Sequence, residues 1–121
     1  MQRIKTYNAI SQKGLDRFEP DVYEVGQNIA QPDALLLRSY KLQEDEIPVS
    51  VTAIARAGAG VNNIPLARCS VRGIPVFNTP GANANAVKEL VVAAMLLASR
   101  DIVGGIAFAQ SQDATMSAQD M

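Results

Sequence analysis

Short apolar runs, each bounded by polar or turn-forming residues, recur along the first part of the chain. Runs of this length that are rich in β-branched and aromatic residues are typical of strands. The run Ala34–Leu37 is apolar at every position, as expected of a strand that is covered on both faces of a parallel sheet. The pattern predicts strands at Arg3–Tyr7, Tyr23–Val25, Ala34–Leu37, Val51–Ala55 and Ile74–Phe77.

Helix-forming stretches separate these strands. Apolar residues three positions apart predict a short helix at Gln12–Phe18, which Asn8 or Ser11 can cap. A second helix is predicted at Ile64–Val71. Because strands alternate with helices, the sequence predicts an α/β fold with a flavodoxin-like parallel sheet, in a substrate-binding domain that spans residues 1–84.

A long helix is predicted to follow from about Asn85 to Ser99, within a helical segment assigned to residues 85–110, and its continuation through Phe108 across Gly104 and Gly105 is left open. Its segment Leu90–Ala98 is apolar almost all round, so it is expected to be buried on more than one side. A single domain of this size supplies only one of those sides, and the isolated chain is therefore expected to expose an apolar patch or to self-associate. Residues 111–121 have no period and are predicted to form a disordered tail.

Composition narrows the class of protein. The chain has 121 residues, of which 48% are hydrophobic and 19% charged, and its net charge is −1. A near-neutral balance argues against nucleic acid or a membrane surface as the partner. The longest apolar run, Leu90–Ala98, is nine residues long, whereas a membrane span needs about 20. No secretory signal pattern follows Met1, and the single cysteine, Cys69, excludes an internal disulfide, so a cytoplasmic location is predicted.

Side-chain chemistry is sparse. The chain contains no histidine, which removes the commonest general base and the commonest zinc ligand. The consecutive acids Glu44–Glu46 are interpreted as a solvated face, because no other ligand cluster accompanies them. Cys69 lies in a predicted helix and is interpreted as a packed core thiol. The sequence therefore predicts no metal site and no catalytic residue in this chain.

The most distinctive stretch is the glycine-rich turn Arg56–Asn63, between a predicted strand and a predicted helix. Glycines leave backbone N–H groups open to an anion. From Pro48 to Val87 the chain has no acidic residue but contains three arginines, Arg56, Arg68 and Arg72. Such a surface favours a carboxylate or phosphate ligand, with Arg38 and Lys41 of the neighbouring strand end adding positive charge.

Three interpretations of the turn remain open. As a dinucleotide fingerprint it offers two of the three glycines, Gly58 and Gly60, with Asn63 at the third position. The acidic residue expected about 20 positions further on is absent from the sequence. The turn could also be only a tight turn. A cradle for a small anion is the interpretation that we favour.

Several segments, taken together, resemble the D-isomer-specific 2-hydroxyacid dehydrogenases. They occur in that family's order and spacing: Ala34–Ser39, Ile54–Ile64, Gly73–Pro80 and Asn83–Glu89. The similarity covers residues 1 to about 110 and is greatest to the members that act on 3-phosphoglycerate in serine biosynthesis. It implies a substrate-binding segment, followed by the long helix that leads to an NAD-binding domain absent from this sequence.

The resemblance also implies roles for individual residues. In such enzymes the glycine-turn backbone binds the substrate carboxylate, and the end of the preceding strand lies near the substrate, where basic groups meet its phosphate. The implied substrate-binding residues are Arg38, Ser39, Arg56, Ala57, Gly58, Ala59, Gly60 and Asn83, and Thr79 would approach the NAD. Plainer interpretations stay open: a surface ion pair for Arg38, a turn for Asn78 and Thr79, and helix caps for Asn83 and Asn85.

One departure from the family limits the prediction. Hydride transfer in the family depends on an arginine, a carboxylate and a histidine that follow later in the chain, and this sequence has no histidine. The chain alone is therefore expected to be inactive, as part of a parent that is a homodimer. The alternative is a free-standing small-anion-binding or regulatory module of flavodoxin-like fold. Tight NAD binding by this chain would contradict the first interpretation.

Overall fold

Two compact units make up the chain, Met1–Ala82 and Asn83–Met121. The computed structural model of the protein describes residues 1–112. The first unit contains a parallel sheet with the strands β1 (Gln2–Thr6), β2 (Tyr23–Gly26), β3 (Ala34–Leu37), β4 (Ala53–Arg56) and β5 (Val76–Phe77). Their order, β2-β1-β3-β4-β5, is that of flavodoxin-like folds, and so the predicted fold class is confirmed.

All five predicted strands are present, and the last two begin later than predicted. β4 was expected from Val51 but begins at Ala53, and β5 was expected from Ile74 but begins at Val76. Pro75 lies at the entry to β5, where its carbonyl accepts a hydrogen bond from the Ile54 amide at 3.0 Å. Proline has no N–H to donate, so regular pairing begins after it.

The helices of this unit are short. α1 covers Gln12–Leu15 and α2 covers Leu66–Val71, while a 3-10 turn occupies Glu44–Glu46. α1 ends earlier than its predicted limit at Phe18. Ser11 is its N-cap residue but makes no side-chain capping bond, so neither candidate cap acts as expected, and the helix is held to a single turn.

The largest buried cluster lies on one face of the sheet. Leu35 of β3 pairs with Ile54 of β4, and Ile54 pairs with Val76 of β5, so all three point to the same side. Leu35 and Ile54 are at most 1% exposed. The buried cluster contains Leu35, Leu37, Leu42, Ile47, Val51, Ile54, Ile64, Cys69 and Ile74. The predicted core position of Cys69 is confirmed, and burial raises the pKa of its thiol.

The second unit contains two helices where one was predicted. α3 spans Ala84–Arg100 and α4 spans Ile102–Ser111, and their axes differ by 55°. Asp101 separates them with φ 45° and ψ 46°, a left-handed conformation that ends α3. Its carboxylate accepts a hydrogen bond from the Gly104 amide and so caps α4. The helix predicted from Asn85 to Ser99 is therefore confirmed as α3, whereas its unbroken continuation to residue 110 is wrong.

The apolar patch that the isolated chain was expected to expose is present in this unit. α3 and α4 contain no buried residue, and Leu90 and Met95 are 71% and 66% exposed. The start of the predicted tail, 111–121, was placed one residue too early, because Ser111 still belongs to α4. Residues 113–121 lie outside the described part of the chain. Among the described helices, none alone has the length and apolarity of a membrane span; the bent α3–α4 pair meets those two criteria only when its helices are joined.

Candidate functional site

The end of β3 and the glycine turn meet at one edge of the sheet. Leu37 pairs with Arg56, so Arg38 and Ala57 leave their strands side by side. The Ala57 amide donates to the Leu37 carbonyl at 2.8 Å and extends the pairing by one bond. Because the carboxyl ends of parallel strands share an edge, the sheet brings together the two segments that the sequence singled out.

Arg56 lies inside the glycine turn and bonds to the protein. Its Nε donates to the Arg38 carbonyl at 2.9 Å. One terminal nitrogen, Nη1, donates to the Gly60 carbonyl and, at 3.3 Å, to the Asn62 side chain. The resemblance placed Arg56 among the ligands, whereas in this geometry three of its hydrogen bonds hold the turn to the end of β3.

The two glycines of the turn make room for this guanidinium. A Cβ at Gly58 would lie 3.1 Å from the Arg56 Nε, and a Cβ at Gly60 would lie 3.1 Å from its Nη1. Neither Gly58 nor Gly60 has a positive φ. Glycine is therefore favoured here by the close approach of a side chain, and backbone freedom is not the reason.

The four backbone amides of Ala57–Gly60 divide into two pairs. Those of Ala57 and Gly58 donate to the carbonyls of Leu37 and Arg56. Those of Ala59 and Gly60 donate no hydrogen bond within the described residues. An anion cradle was predicted over Ala57–Gly60, and the geometry narrows the available donors to its second half.

The strand-end segment supplies the free charge. Arg38 and Ser39 are exposed, and within residues 1–112 the Arg38 guanidinium has no acidic or hydrogen-bonding partner. The described part of the chain thus offers no ion pair for it. Arg72, by contrast, donates to the carbonyls of Ile47 and Pro48 at 2.8 and 2.7 Å. Arg56 and Arg72 keep their positive charge, but they already donate to carbonyls of the protein, whereas the donors of Arg38 have no partner among the described residues.

Asn63 is a functional candidate that the sequence did not single out by itself. Its Nδ2 donates to the carbonyls of Arg38 at 3.2 Å and Tyr40 at 2.7 Å. Its own carbonyl accepts from the Leu42 amide. Its Oδ1 is buried and has no partner among the described residues. Asn63 thus holds the strand-end segment against the turn, and only its place in the glycine-rich motif could have suggested this.

A pair of stacked tyrosines supports the same segment. The rings of Tyr7 and Tyr40 are 4.6 Å apart between centroids, and the Tyr40 hydroxyl donates to Glu46. This bond lowers the pKa of Glu46 and raises the pKa of Tyr40. Asn8, a predicted helix cap, instead accepts from the Tyr40 amide in a left-handed conformation with φ 65°. The acids interpreted as solvated include Glu44 and Asp45, which are exposed, and Glu46, which is partly buried.

The segment after β5 also reaches the turn. The Thr79 amide donates to the Gly58 carbonyl at 3.0 Å, and the Asn78 side chain donates to the Ala59 carbonyl at 2.7 Å. Thr79 is exposed, and its predicted contact with NAD stays a prediction. Asn83 belongs to the second unit, where it is the N-cap residue of α3 without a side-chain capping bond. Its predicted role in a cleft stays a prediction as well.

The residues present do not fit a dinucleotide or a metal ion. A pyrophosphate needs an open glycine loop at a helix N-terminus, but Arg56 fills this loop, and α2 begins only at Leu66, behind Pro65. Within residues 1–112, no group of three or more His, Cys, Asp or Glu side chains is arranged to hold a metal. What the arrangement can do is hold a small anion by backbone amides and nearby cationic side chains.

Comparison with known proteins places the chain in a family. Residues 3–120 match the model of the D-isomer specific 2-hydroxyacid dehydrogenase, catalytic domain. The match includes the region in which the sequence pattern predicted a disordered tail. A hydroxypyruvate reductase of Thermotoga maritima is 40% identical over 82 residues, which cover 65% of this chain and 27% of the relative.

Further relatives agree. A putative 2-hydroxyacid dehydrogenase of Staphylococcus aureus is 31% identical over 122 aligned positions, covering 87% of this chain and 38% of the relative. The crystal structure of NAD+-bound 3-phosphoglycerate dehydrogenase from Entamoeba histolytica superimposes with a TM-score of 0.67 at 28% identity, over 79% of this chain and 38% of that one. The chain thus spans between 27% and 38% of the length of these relatives. It belongs to the D-isomer specific 2-hydroxyacid dehydrogenase family.

Proposed function

We propose that this chain is the substrate-binding part of a cytoplasmic, NAD-dependent oxidoreductase of 2-hydroxy acids, with 3-phosphoglycerate of serine biosynthesis as the substrate. One observation carries the proposal. The unengaged amides of Ala59 and Gly60 lie in a turn that contacts Arg38, whose guanidinium has no partner among the described residues. The family membership and the similarity to a 3-phosphoglycerate dehydrogenase support it.

The turn amides and the cationic side chains at the end of β3 together suit a substrate with two anionic groups. The amides of Ala59 and Gly60 would hold the carboxylate, since backbone N–H groups suit a planar anion. Arg38 and Lys41, both exposed, would attract the phosphate. Ser39, between them, would donate a further hydrogen bond. NAD, when bound by residues outside the glycine turn, would accept the hydride.

The chain by itself is proposed to bind substrate without oxidising it. Removing the hydroxyl proton of a 2-hydroxy acid requires a positioned base. The sequence contains no histidine, and no acidic residue occurs between Pro48 and Val87, the stretch that includes the turn. The proposed role of the turn is therefore to orient the carboxylate while groups elsewhere in the enzyme perform the chemistry.

Calorimetric titration of the chain tests this function. We expect 3-phosphoglycerate to bind with a dissociation constant on the order of 1 mM, D-glycerate, which lacks the phosphate, to bind about tenfold more weakly, and NAD to show no binding. Arg38→Gln should weaken 3-phosphoglycerate binding by about tenfold or more, because it removes a charge-assisted contact. Arg68→Gln, which removes an exposed arginine of α2, is the matched control and should bind as the wild type does.

Other outcomes would contradict the proposal. Tight NAD binding by this chain would mean that the glycine turn, or another part of it, is a nucleotide site. Inorganic phosphate that binds as strongly as 3-phosphoglycerate would favour a general small-anion module. An equal effect of Arg38→Gln and Arg68→Gln would show that the ligand responds only to net charge.

A further inference from the structure

Three separate pieces of backbone and side chain converge on the guanidinium of Arg56. They are the backbone carbonyl of Arg38 at the end of β3, the backbone carbonyl of Gly60 in the turn, and the side-chain oxygen of Asn62. A guanidinium presents its donors in a rigid planar fork, so its partners are held at fixed relative directions. The side chain therefore sets the path of the turn relative to the end of β3.

The curvature of the turn depends on this contact. With the Gly60 carbonyl bonded to the guanidinium, the amides of Ala59 and Gly60, like those of Val61, Asn62 and Asn63 that follow them, have no partner among the described residues. Without the guanidinium, the Gly60 carbonyl would lose its partner, and the Arg38 carbonyl would keep only Asn63. Of the side-chain bonds between the turn and the strand-end segment, only those of Asn63 would then remain.

We infer that Arg56 is a positioning residue, whose guanidinium shapes the glycine turn so that the Ala59 and Gly60 amides form an anion cradle aligned with Arg38. The cradle's ligand rests on the proposed function, but the positioning itself does not. The competing role is direct contact with the anion. Nη2 of Arg56 has no hydrogen-bond partner among the described residues, so the experiment must separate the two roles.

The first measurement needs no ligand. In two-dimensional amide spectra of the nitrogen-15-labelled chain, Arg56→Lys and Arg56→Met should both displace the Ala59 and Gly60 resonances, together with that of Ser39. An ammonium is a single point charge and cannot replace the planar fork. Arg68→Lys is the matched control and should leave these resonances in place. Unchanged Ala59 and Gly60 resonances in both Arg56 variants would overturn the inference.

A second variant leaves Arg56 itself intact. Gly58→Ala places a methyl group 3.1 Å from the Arg56 Nε, so the guanidinium must shift. It should displace the same resonances as the Arg56 substitutions. Spectra that retain their strand signals, such as those of β1, show that each variant is folded. A folded Gly58→Ala chain with undisturbed Ala59 and Gly60 amides would contradict the positioning role.

The binding measurement distinguishes positioning from direct contact. By calorimetry with 3-phosphoglycerate, Arg56→Lys and Arg56→Met should lose affinity equally, by about tenfold or more, if the fork shapes the site. If Arg56 contacts the anion through its charge, the lysine variant should retain affinity and only the methionine variant should lose it, and that result would overturn the inference. If the wild-type chain does not bind 3-phosphoglycerate, the proposed function fails, and the amide spectra still decide the role of Arg56.

Discussion

At the scale of single residues, one amino acid serves different physical ends at different positions. Gly58 and Gly60 accommodate a side chain, with a hypothetical Cβ only 3.1 Å from the Arg56 guanidinium in each case. Gly73 follows α2 with φ 68°, a conformation that other residues adopt only at a cost. The motif that suggested a nucleotide loop is thus explained by packing around an arginine.

Gly104 and Gly105 form a natural matched pair. A Cβ at Gly104 would overlap the Asp101 carboxylate, so Gly104→Ala should displace the group that caps α4, and the loss of about 1 kcal/mol should offset the higher helix propensity of alanine and leave little net change. A Cβ at Gly105 meets nothing within 4 Å, so Gly105→Ala should stabilise α4 by about 0.5–1 kcal/mol. Thermal unfolding followed by helical circular dichroism measures both. Equal shifts in the two variants would contradict the capping role of Asp101.

The Tyr40–Glu46 bond predicts a pH dependence. The bond lowers the Glu46 pKa below 4.5. The stability that the bond gives to the folded state is therefore complete above that pH and is lost as the pH falls through the lowered pKa. The pKa of Tyr40 is raised above 10.0, so at alkaline pH the stability that the bond gives to the folded state is lost only as the pH rises through that higher pKa. Tyr40→Phe should therefore destabilise the protein at neutral pH, and the difference from the wild type should shrink in acid.

Urea unfolding at about pH 7 and about pH 3 measures this difference. Tyr23→Phe is the control. Tyr23 packs edge-to-face on Phe18 with centroids 5.4 Å apart, and its hydroxyl makes no hydrogen bond within the described residues. The effect of Tyr23→Phe should be the same at both pH values. A Tyr40→Phe effect that does not change with pH would show that its hydroxyl contributes nothing through Glu46.

At the scale of elements, strand register brings the parts of the candidate site together, and the exposure of α3 raises the question of what covers that helix. The pairing of Leu37 with Arg56 brings the two candidate ligand-binding segments to one edge of the sheet. α3, however, exposes large apolar side chains along its whole length, among them Leu90, Met95 and Leu96. A helix that is apolar all round is normally buried, so we propose that α3 is covered by a second copy of the chain, as in a homodimeric parent.

Sedimentation tests that proposal. The wild-type chain should sediment as a species larger than its 12.9 kDa monomer and bind hydrophobic dyes when diluted. A double variant with Leu90→Lys and Met95→Lys should shift toward the monomer, because it places two like charges on the apolar surface. Ser99→Lys adds charge at an exposed polar position of the same helix and should not. A wild-type monomer without dye-binding surface would refute the proposal.

At the scale of the whole molecule, binding and chemistry are separate requirements. The first unit provides a parallel sheet with a candidate anion site at its carboxyl edge, whereas the described residues form neither a dinucleotide site nor an acid/base pair. The chain spans between 27% and 38% of the length of its relatives. The proposed oxidation therefore requires groups beyond those described, and the measurable property of this chain is ligand binding.

The amino-acid sequence by itself determined the fold class, the order of the strands along the chain, the buried state of Cys69 and the family. The first three follow from local pattern, because a strand that is covered on both faces must be apolar throughout and a helix must repeat its apolar positions. The family was indicated by the resemblance of four motifs in order and spacing. The sequence placed the end of the first helix near Ser99, but the left-handed conformation of Asp101, which divides α3 from α4, was not predicted.

Only the tertiary structure decided how the site is built. The bonds from Arg56 and Asn63 to the Arg38 carbonyl join residues 18 and 25 positions apart. Which carbonyl lies opposite which side chain depends on strand register and loop path, neither of which has a local signature in the sequence. For the same reason the sequence could place an anion cradle in the glycine turn, but only the fold showed which amides remain free and that Arg56 holds the turn in shape.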